Sequence, residues 1–184
     1  AVGAHGYFTG GLIYEVGDSS VVLNPTQRCV TLPPEWIAVV VRPAVEQRTV
    51  SGEGEREKFS TLSPADLESA RLLRQIVSEG ILRGAEAKNF SLFAKSVQQY
   101  NERSGRLFAA VQGGPYNGPA VTRVIDWLTH AGVVGFGQSS WGPGVFAWCE
   151  SEAEANDLID RLPPSIELLT AATVRNDARM LDEL

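Results

Sequence analysis

The run Trp36-Ile37-Ala38-Val39-Val40-Val41 holds six apolar residues in succession, four of them β-branched. It does not alternate, so it predicts a strand covered on both faces rather than one facing water. It is also far shorter than the roughly 20 apolar residues that cross a bilayer. Such a strand needs other elements to cover it.

The covering elements follow at once, because the apolar period changes from Ser63 onward. Ser63-Pro64-Ala65-Asp66 carries N-cap chemistry with proline at the first helical position. Leu73, Ile76 and Val77 then keep helical spacing. Asn89 is placed to cap a second helix, with Phe90, Phe93, Ala94 and Val97 on one face. After the break at Gln112-Gly113-Gly114-Pro115, the stripe Val121, Val124, Ile125, Leu128 predicts a third helix ending near Gly132. Ser151-Glu152-Ala153-Glu154 is a capping box, and Ala155, Leu158, Ile159 and Leu162 follow it as a fourth stripe.

Strand-like runs bracket these helices. Leu12–Val16 and Val21–Leu23 precede them, the latter closed by Asn24-Pro25; Val133–Ser139, Val145–Cys149 and Ile166–Val174 come later. Residues 44–60 are polar and read as a loop or solvated lid. Long helices beside a small antiparallel sheet predict an α+β fold.

The 184 residues suit one domain or one and a half small ones. An apolar share of 43% can supply a core, which excludes a wholly disordered chain. A net charge of −6 argues against nucleic acid and anionic membranes as partners, yet leaves room for a small anionic substrate. Cys29 and Cys149 make no disulfide framework, and with only His5 and His130 beside them no metal centre is expected. The chain fits a reducing cytoplasm. It opens without Met and without a signal-peptide pattern, and so reads as a piece or processed product of a longer protein.

The densest candidate for chemistry is Gly135-Phe136-Gly137-Gln138-Ser139-Ser140-Trp141-Gly142-Pro143-Gly144. Glycines let backbone N–H groups approach an anion, and hydroxyls add donors, so a phosphate or carboxylate cradle is one reading. A wide hairpin turn is the other. The dinucleotide fingerprint fails because no helix follows, and no Gly-Lys-Ser/Thr of the P-loop kind exists. Gln112-Gly113-Gly114-Pro115-Tyr116 is a second glycine loop, at the start of a helix that could face an anion. His5, flanked by Gly6, Gly10 and Gly11, could donate to phosphate or shuttle a proton, although a lone histidine is more commonly structural. Cys149 lies in a strand-like run and reads as a small buried hydrophobe.

Together these segments resemble a known family. Gly3-Ala4-His5-Gly6 with Gly10-Gly11-Leu12-Ile13, then Ser51-Gly52-Glu53-Gly54-Glu55-Arg56-Glu57, are the first matches. Gln112–Tyr116, Trp127-Leu128 and Gly135–Pro143 follow in similar order and spacing. The pattern is similar to the β-ribofuranosylaminobenzene 5′-phosphate synthases of the GHMP-kinase superfamily, in their C-terminal portion. The string Gln138-Ser139-Ser140-Trp141-Gly142-Pro143 is its most specific part.

The resemblance implies that residues 1–62 end a ribosomal-S5-like domain and that residues 63–184 form a ferredoxin-like GHMP C-terminal domain. It implies a transferase joining ribose 5-phosphate from an activated diphosphate to a 4-hydroxybenzoate- or 4-aminobenzoate-type acceptor, on the way to a methanopterin-type one-carbon carrier. Substrate and phosphate contacts would fall on His5, Gln112, Gly113, Gly114, Gly135, Gly137, Gln138, Ser139, Ser140, Trp141 and Gly142; catalytic residues are not assigned. The cofactor implied is Mg2+ travelling with the diphosphate. The superfamily's earlier Gly/Ser phosphate loop has no counterpart in this sequence, which weighs against ATP and against turnover by this chain alone. Two alternatives stay open: an ATP-dependent small-molecule kinase, and a non-catalytic ligand-binding or dimerising domain. A homodimer is compatible with all three.

Overall fold

The computed structural model describes residues 2–16, 26–44, 60, 62 and 66–177. Helix α1 (Val2–Thr9) leads into β1 (Leu12–Glu15), which pairs antiparallel with β2 (Thr26–Val30). Strand β3 (Ile37–Pro43) follows. Next come α2 (Leu67–Gln75), a π-helical segment (Ile76–Leu82), α3 (Arg83–Glu86), α4 (Phe90–Arg106), α5 (Ala109–Gln112) and α6 (Gly118–His130). The chain closes with β4 (Phe136–Gln138), β5 (Val145–Cys149), α7 (Glu152–Asp160) and β6 (Ile166–Thr173).

Four strands make one antiparallel sheet in the order β4-β5-β3-β6. Helices join β3 to β4, and α7 joins β5 to β6. That is the βαββαβ ferredoxin-like arrangement, so the α+β expectation holds.

The apolar run of β3 is central, between β5 and β6, as its composition requires. Its two faces differ. Val39 and Val41 are buried against α6 (Val121, Val124, Leu128) and α7 (Ala155, Leu158). Ala38 and Val40, on the other face, are only half-buried. Full cover of both faces, expected from the run, is met on one face alone, because the second core lies nearer the strand's start.

That second core gathers Leu32, Trp36, Ile81, Ala85 and Phe93. Phe93 sits between Trp36, at 4.9 Å between ring centroids, and Trp148 of β5, at 5.2 Å. The α2–π–α3 rod packs antiparallel on α4 at very short range. A Cβ on Gly80 would lie 2.2 Å from Ser96 Oγ, and one on Gly84 would lie 2.6 Å from the Phe93 nitrogen.

Helix starts follow the capping residues. Asp66 Oδ1 accepts the Ser69 N–H at 2.8 Å, Asn89 Oδ1 accepts Leu92 N–H at 3.0 Å, and Ser151 Oγ accepts Glu154 N–H at 3.2 Å. The first of these places the helix start at Asp66; Ser63, Pro64 and Ala65 lie outside the described residues. The Glu154 carboxylate reaches one residue past the cap and accepts Glu150 N–H at 2.8 Å, where a capping box would take the N–H of Ser151.

Two elements differ from expectation. Helix α1 was not foreseen: Gly3 and Gly6 lower its propensity and its residues show no amphipathic stripe, so nothing in the pattern marks it. The partner of β1 is β2 at Thr26–Val30, beyond Asn24-Pro25, whereas Val21–Leu23 and most of the polar 44–60 segment lie outside the described residues. The β1–β2 ribbon is tied to the chain's other end. The Asn176 amide bonds Leu32 in both directions, at 2.9 and 2.8 Å, and Gly11 N–H donates to Arg175 O at 2.6 Å.

Candidate functional site

The apolar stripe of α4 does not stop at Val97. The same helical face continues as Asn101, Ser104 and Gly105, and Phe108 follows just past the helix end. Its first half builds the core. Its second half lines a cavity of about 190 Å³, closed on the other sides by Gln112, Pro115, Gln138, Ser140 and Trp141. None of the nine lining residues carries an ionisable side chain.

The two glycine loops meet there through a hydrogen-bonded hub. Gln138 is buried. Its Oε1 accepts Asn117 N–H at 2.6 Å, and its Nε2 donates to Ser140 O at 2.7 Å and to Gln112 Oε1 at 3.4 Å. Asn117 Nδ2 donates to Trp141 O at 2.6 Å, and Gln112 Nε2 donates to Gly105 O at 3.0 Å. Asn101 then acts as a partner for the edge strand: its Oδ1 accepts Gln138 N–H at 2.9 Å and its Nδ2 donates to Gln138 O at 2.8 Å. Gln138, Gln112 and Asn101 thus use their amides to position the walls. Phe108 and Trp141 form an edge-to-face pair, 5.3 Å apart and inclined at 75°.

Residues 81–165 match the family model of the GHMP kinases' C-terminal region. Residues 81–165 thus carry the likeness to a GHMP kinase C-terminal domain. A relative from Methanothermobacter thermautotrophicus, beta-ribofuranosylphenol 5′-phosphate synthase, is 27% identical over 159 residues. The match takes in 79% of this chain and 47% of the relative, so the chain spans about half that protein's length. Among solved structures, homoserine kinase from Cytophaga hutchinsonii superposes with a TM-score of 0.59 at 18% identity, over 92% of this chain and 50% of that one. Mevalonate diphosphate decarboxylase from Staphylococcus aureus gives 0.51 at 12% identity, over 83% and 49%. These two likenesses speak for the fold.

The expected site residues divide. Gln112, Gln138, Ser140 and Trp141 come together on one cavity. Gly135 and Gly137 stand behind it, where α4 approaches. A Cβ on Gly135 would lie 2.7 Å from Ala94 Cβ, and one on Gly137 would lie 2.3 Å from Asn101 Cγ. Gly113 and Gly114 supply positive φ, 81° and 144°, after α5. Ser139 and Gly142 shape the turn: Ser139 N–H donates to Gly144 O at 2.9 Å, and Gly142 N–H donates to Ser139 O at 2.8 Å. With Gly135 N–H held by Gln98 Oε1 at 3.0 Å, four of the loop's backbone donors are engaged within the protein. The side chains of Ser104 and Ser140 add hydroxyl donors to the cavity wall. His5 is on α1, 3.6 Å from Glu15, and lines no wall of the cavity.

Sequence reasoning missed Asn101, Ser104 and Phe108. Their signal was present as the i, i+3, i+7 continuation of the Phe90–Val97 stripe, but a polar helix face reads as solvated when its neighbours are unknown.

Two acids near the core are held neutral. Burial pushes the Tyr116 phenol up to about 12, with Glu102 adding to the effect. Burial, then Glu154, pushes the Cys149 thiol up to about 11. A thiol so placed is no nucleophile at neutral pH, which agrees with its reading as a core residue. Among the described residues no group of three or more His, Cys, Asp or Glu could hold a metal ion. No helix among them is long and apolar enough to cross a membrane.

Proposed function

We propose that the chain is the acceptor-binding part of a GHMP-superfamily transferase, one that joins ribose 5-phosphate from an activated diphosphate to a hydroxybenzoate- or aminobenzoate-type ring. The observation that carries this reading is the uncharged cavity with the Phe108–Trp141 pair in its lining. A space of about 150 Å³ accommodates a benzene ring, so about 190 Å³ suits a ring with one or two small substituents. Ser104 and Ser140 supply hydroxyls able to meet a carboxylate or a phenol. A phosphate would find no lysine or arginine in this lining, and it requires several donors or cations. The name of the methanogen relative, a ribofuranosylphenol phosphate synthase, points to the same acceptor class.

In this reading the chain's own residues bind and orient the ring. The Gln138 hub fixes both glycine loops, Trp141 and Phe108 exclude water, and the serine hydroxyls set which end of the ring faces out. Holding two reactants in register is a large share of such catalysis. The diphosphate donor and its Mg2+ bring their own charge, and a Mg2+ ion bound mainly through substrate phosphates needs few protein ligands.

Titration of the chain with 4-hydroxybenzoate and 4-aminobenzoate, followed by calorimetry and tryptophan fluorescence, tests the proposal. Saturable binding that Trp141→Ala weakens by about tenfold or more is expected. ATP titrated in parallel separates the kinase alternative. Binding of ATP with no response to either benzoate would overturn the acceptor reading in favour of phosphoryl transfer.

A further inference from the structure

Two residues other than glycine take a positive φ among the described residues, Lys88 at 53° and Ser140 at 50°. Lys88 follows the end of α3, where a left-handed residue commonly closes a helix. Its N–H donates to Ala85 O at 3.1 Å and that of Asn89 to Gly84 O at 2.8 Å, the bonds of such a closure. Ser140 closes no helix. It is the first central residue of the turn in which Gly142 N–H donates to Ser139 O at 2.8 Å. Positive φ at that position alone is the pattern of a type II′ turn, whose first central residue is characteristically glycine. In a loop rich in glycine, a place that favours glycine holds serine.

The surrounding bonds hold it there. Gln138 Nε2 donates to Ser140 O at 2.7 Å, Asn117 Nδ2 donates to Trp141 O at 2.6 Å, and Ser139 N–H donates to Gly144 O at 2.9 Å. A strained residue persists only where its surroundings over-determine it, and such residues gather at ligand sites. Those backbone bonds do not call for serine, because glycine would make them without the strain. What glycine lacks is the side chain. Among the described residues the Ser140 hydroxyl has no hydrogen-bond partner. The amides of Asn101, Gln112 and Gln138 are all engaged within the protein, so the hydroxyls of Ser104 and Ser140 are left to meet a ligand. Ser140 is exposed and Ser104 is half-buried, which puts Ser140 at the mouth of the cavity.

We infer that Ser140 is the specificity-determining residue for the acceptor's carboxylate, its hydroxyl donating to that group at the mouth of the cavity. An aromatic acid has one charged end, and the lining offers no cation to it. A carboxylate without a paired charge is stable only where water still reaches it, so it takes the mouth and the ring takes the interior. There a hydroxyl donor adds to hydration without replacing it. The inference rests on the acceptor reading above and narrows it to one orientation of the ring, with the opposite substituent inward. The neighbouring Ser139 lines no part of this cavity and takes no share in the recognition.

Calorimetric titration with 4-hydroxybenzoate and with phenol, which lacks the carboxylate, tests this. Ser140→Gly removes the hydroxyl and the strain together, whereas Ser140→Ala removes the hydroxyl and keeps the strain. Both should weaken 4-hydroxybenzoate by about tenfold or more, the effect of one hydrogen bond to a charged group, and leave phenol within about twofold. Thermal unfolding is the second readout. Ser140→Gly should melt no lower than the unaltered chain and above Ser140→Ala, a result that a serine needed only for the turn would not give. Equal losses for 4-hydroxybenzoate and phenol would make Ser140 a mere shaper of the wall and overturn the inference. Unchanged binding of 4-hydroxybenzoate, or a Ser140→Gly chain that melts below the unaltered one, would overturn it too, with the acceptor reading left standing. An unaltered chain that binds neither compound overturns the acceptor reading and this inference with it.

Discussion

Gly137 shows how a residue can matter without touching a ligand. Its missing side chain is the space that Asn101 occupies, and Asn101 in turn holds both backbone groups of Gln138. Gly137→Ala would put a methyl 2.3 Å from Asn101 Cγ, so one of them must move. We expect a loss of about 1–3 kcal/mol in thermal or denaturant unfolding, the usual range for an overpacked interior. Adding Asn101→Ala removes the obstacle, so the two changes together should cost less than their sum. An additive pair would mean that the glycine serves only its backbone conformation. Gly105 is bound by the same logic, since its Cβ would fall 2.0 Å from Pro115 O. From the sequence Gly135 and Gly137 read as donors to an anion; the neighbour that demands them, α4, is far away in sequence and invisible to local pattern. The resemblance names Gln112, Gln138, Ser140 and Trp141 among the contacts, and the structure sets these four on one cavity. What was not legible was the helix face that completes it.

Cys149 offers a pH test at the same scale. In the unfolded chain its thiol ionises near the ordinary 9.0, and in the folded protein near about 11. Between those values the unfolded state binds fewer protons than the native one, so stability falls as pH rises from about 9 to about 11, and is unaffected by this group below. Cys149→Ala should flatten that part of the pH–stability curve relative to the unaltered chain, over and above any uniform loss from packing. Tyr116, raised to about 12, tilts the curve the same way at higher pH in both proteins and cancels in the comparison. A curve of identical slope with and without Cys149 would refute the assignment.

At the scale of elements, α4 belongs to both core and cavity, and its N-terminus is set by one side chain. Asn89 Oδ1 satisfies Leu92 N–H, and the aromatic residues Phe90 and Phe93 pack on Trp36 immediately after it. Asn89→Ala should cost about 1 kcal/mol of stability, while Asn89→Asp or Asn89→Ser should retain most of it. Calorimetric unfolding measures both; equal stability for all three would mean that the aromatic cluster alone fixes the helix start. The caps at Asn89 and Ser151 and the apolar stripes were readable because each is a local device with a fixed offset. Helix α1 was not, since two glycines in eight residues remove both propensity and stripe. The π-helical segment was equally hidden. Gly80 within it packs closely on Ser96, a contact across two helices that no single-helix pattern records.

At the scale of the molecule, the proposed reaction separates binding from turnover. Binding an aromatic acid asks for a cavity of suitable size with a few donors, and the hub between α4 and the two glycine loops supplies that within residues 101–141. Turnover asks for more. The diphosphate must be held in line with the ring, at near-contact distance, while negative charge builds on the leaving group. The cavity has no cationic lining, and four backbone donors of its glycine loop are engaged by the protein itself. The chain spans about half the length of the synthase relative, and in the proposed reading the diphosphate is held outside this uncharged cavity. The chain of 184 residues is therefore expected to bind 4-hydroxybenzoate but to form no ribosylated product from ribose 5-phosphate diphosphate and Mg2+. Mass spectrometry of the reaction mixture checks this directly. Product made by the purified chain would place the whole reaction within its own residues, and the uncharged cavity would then have to be paired with a cationic surface nearby, for which Arg103 and Arg106 at the end of α4 are the first candidates to replace.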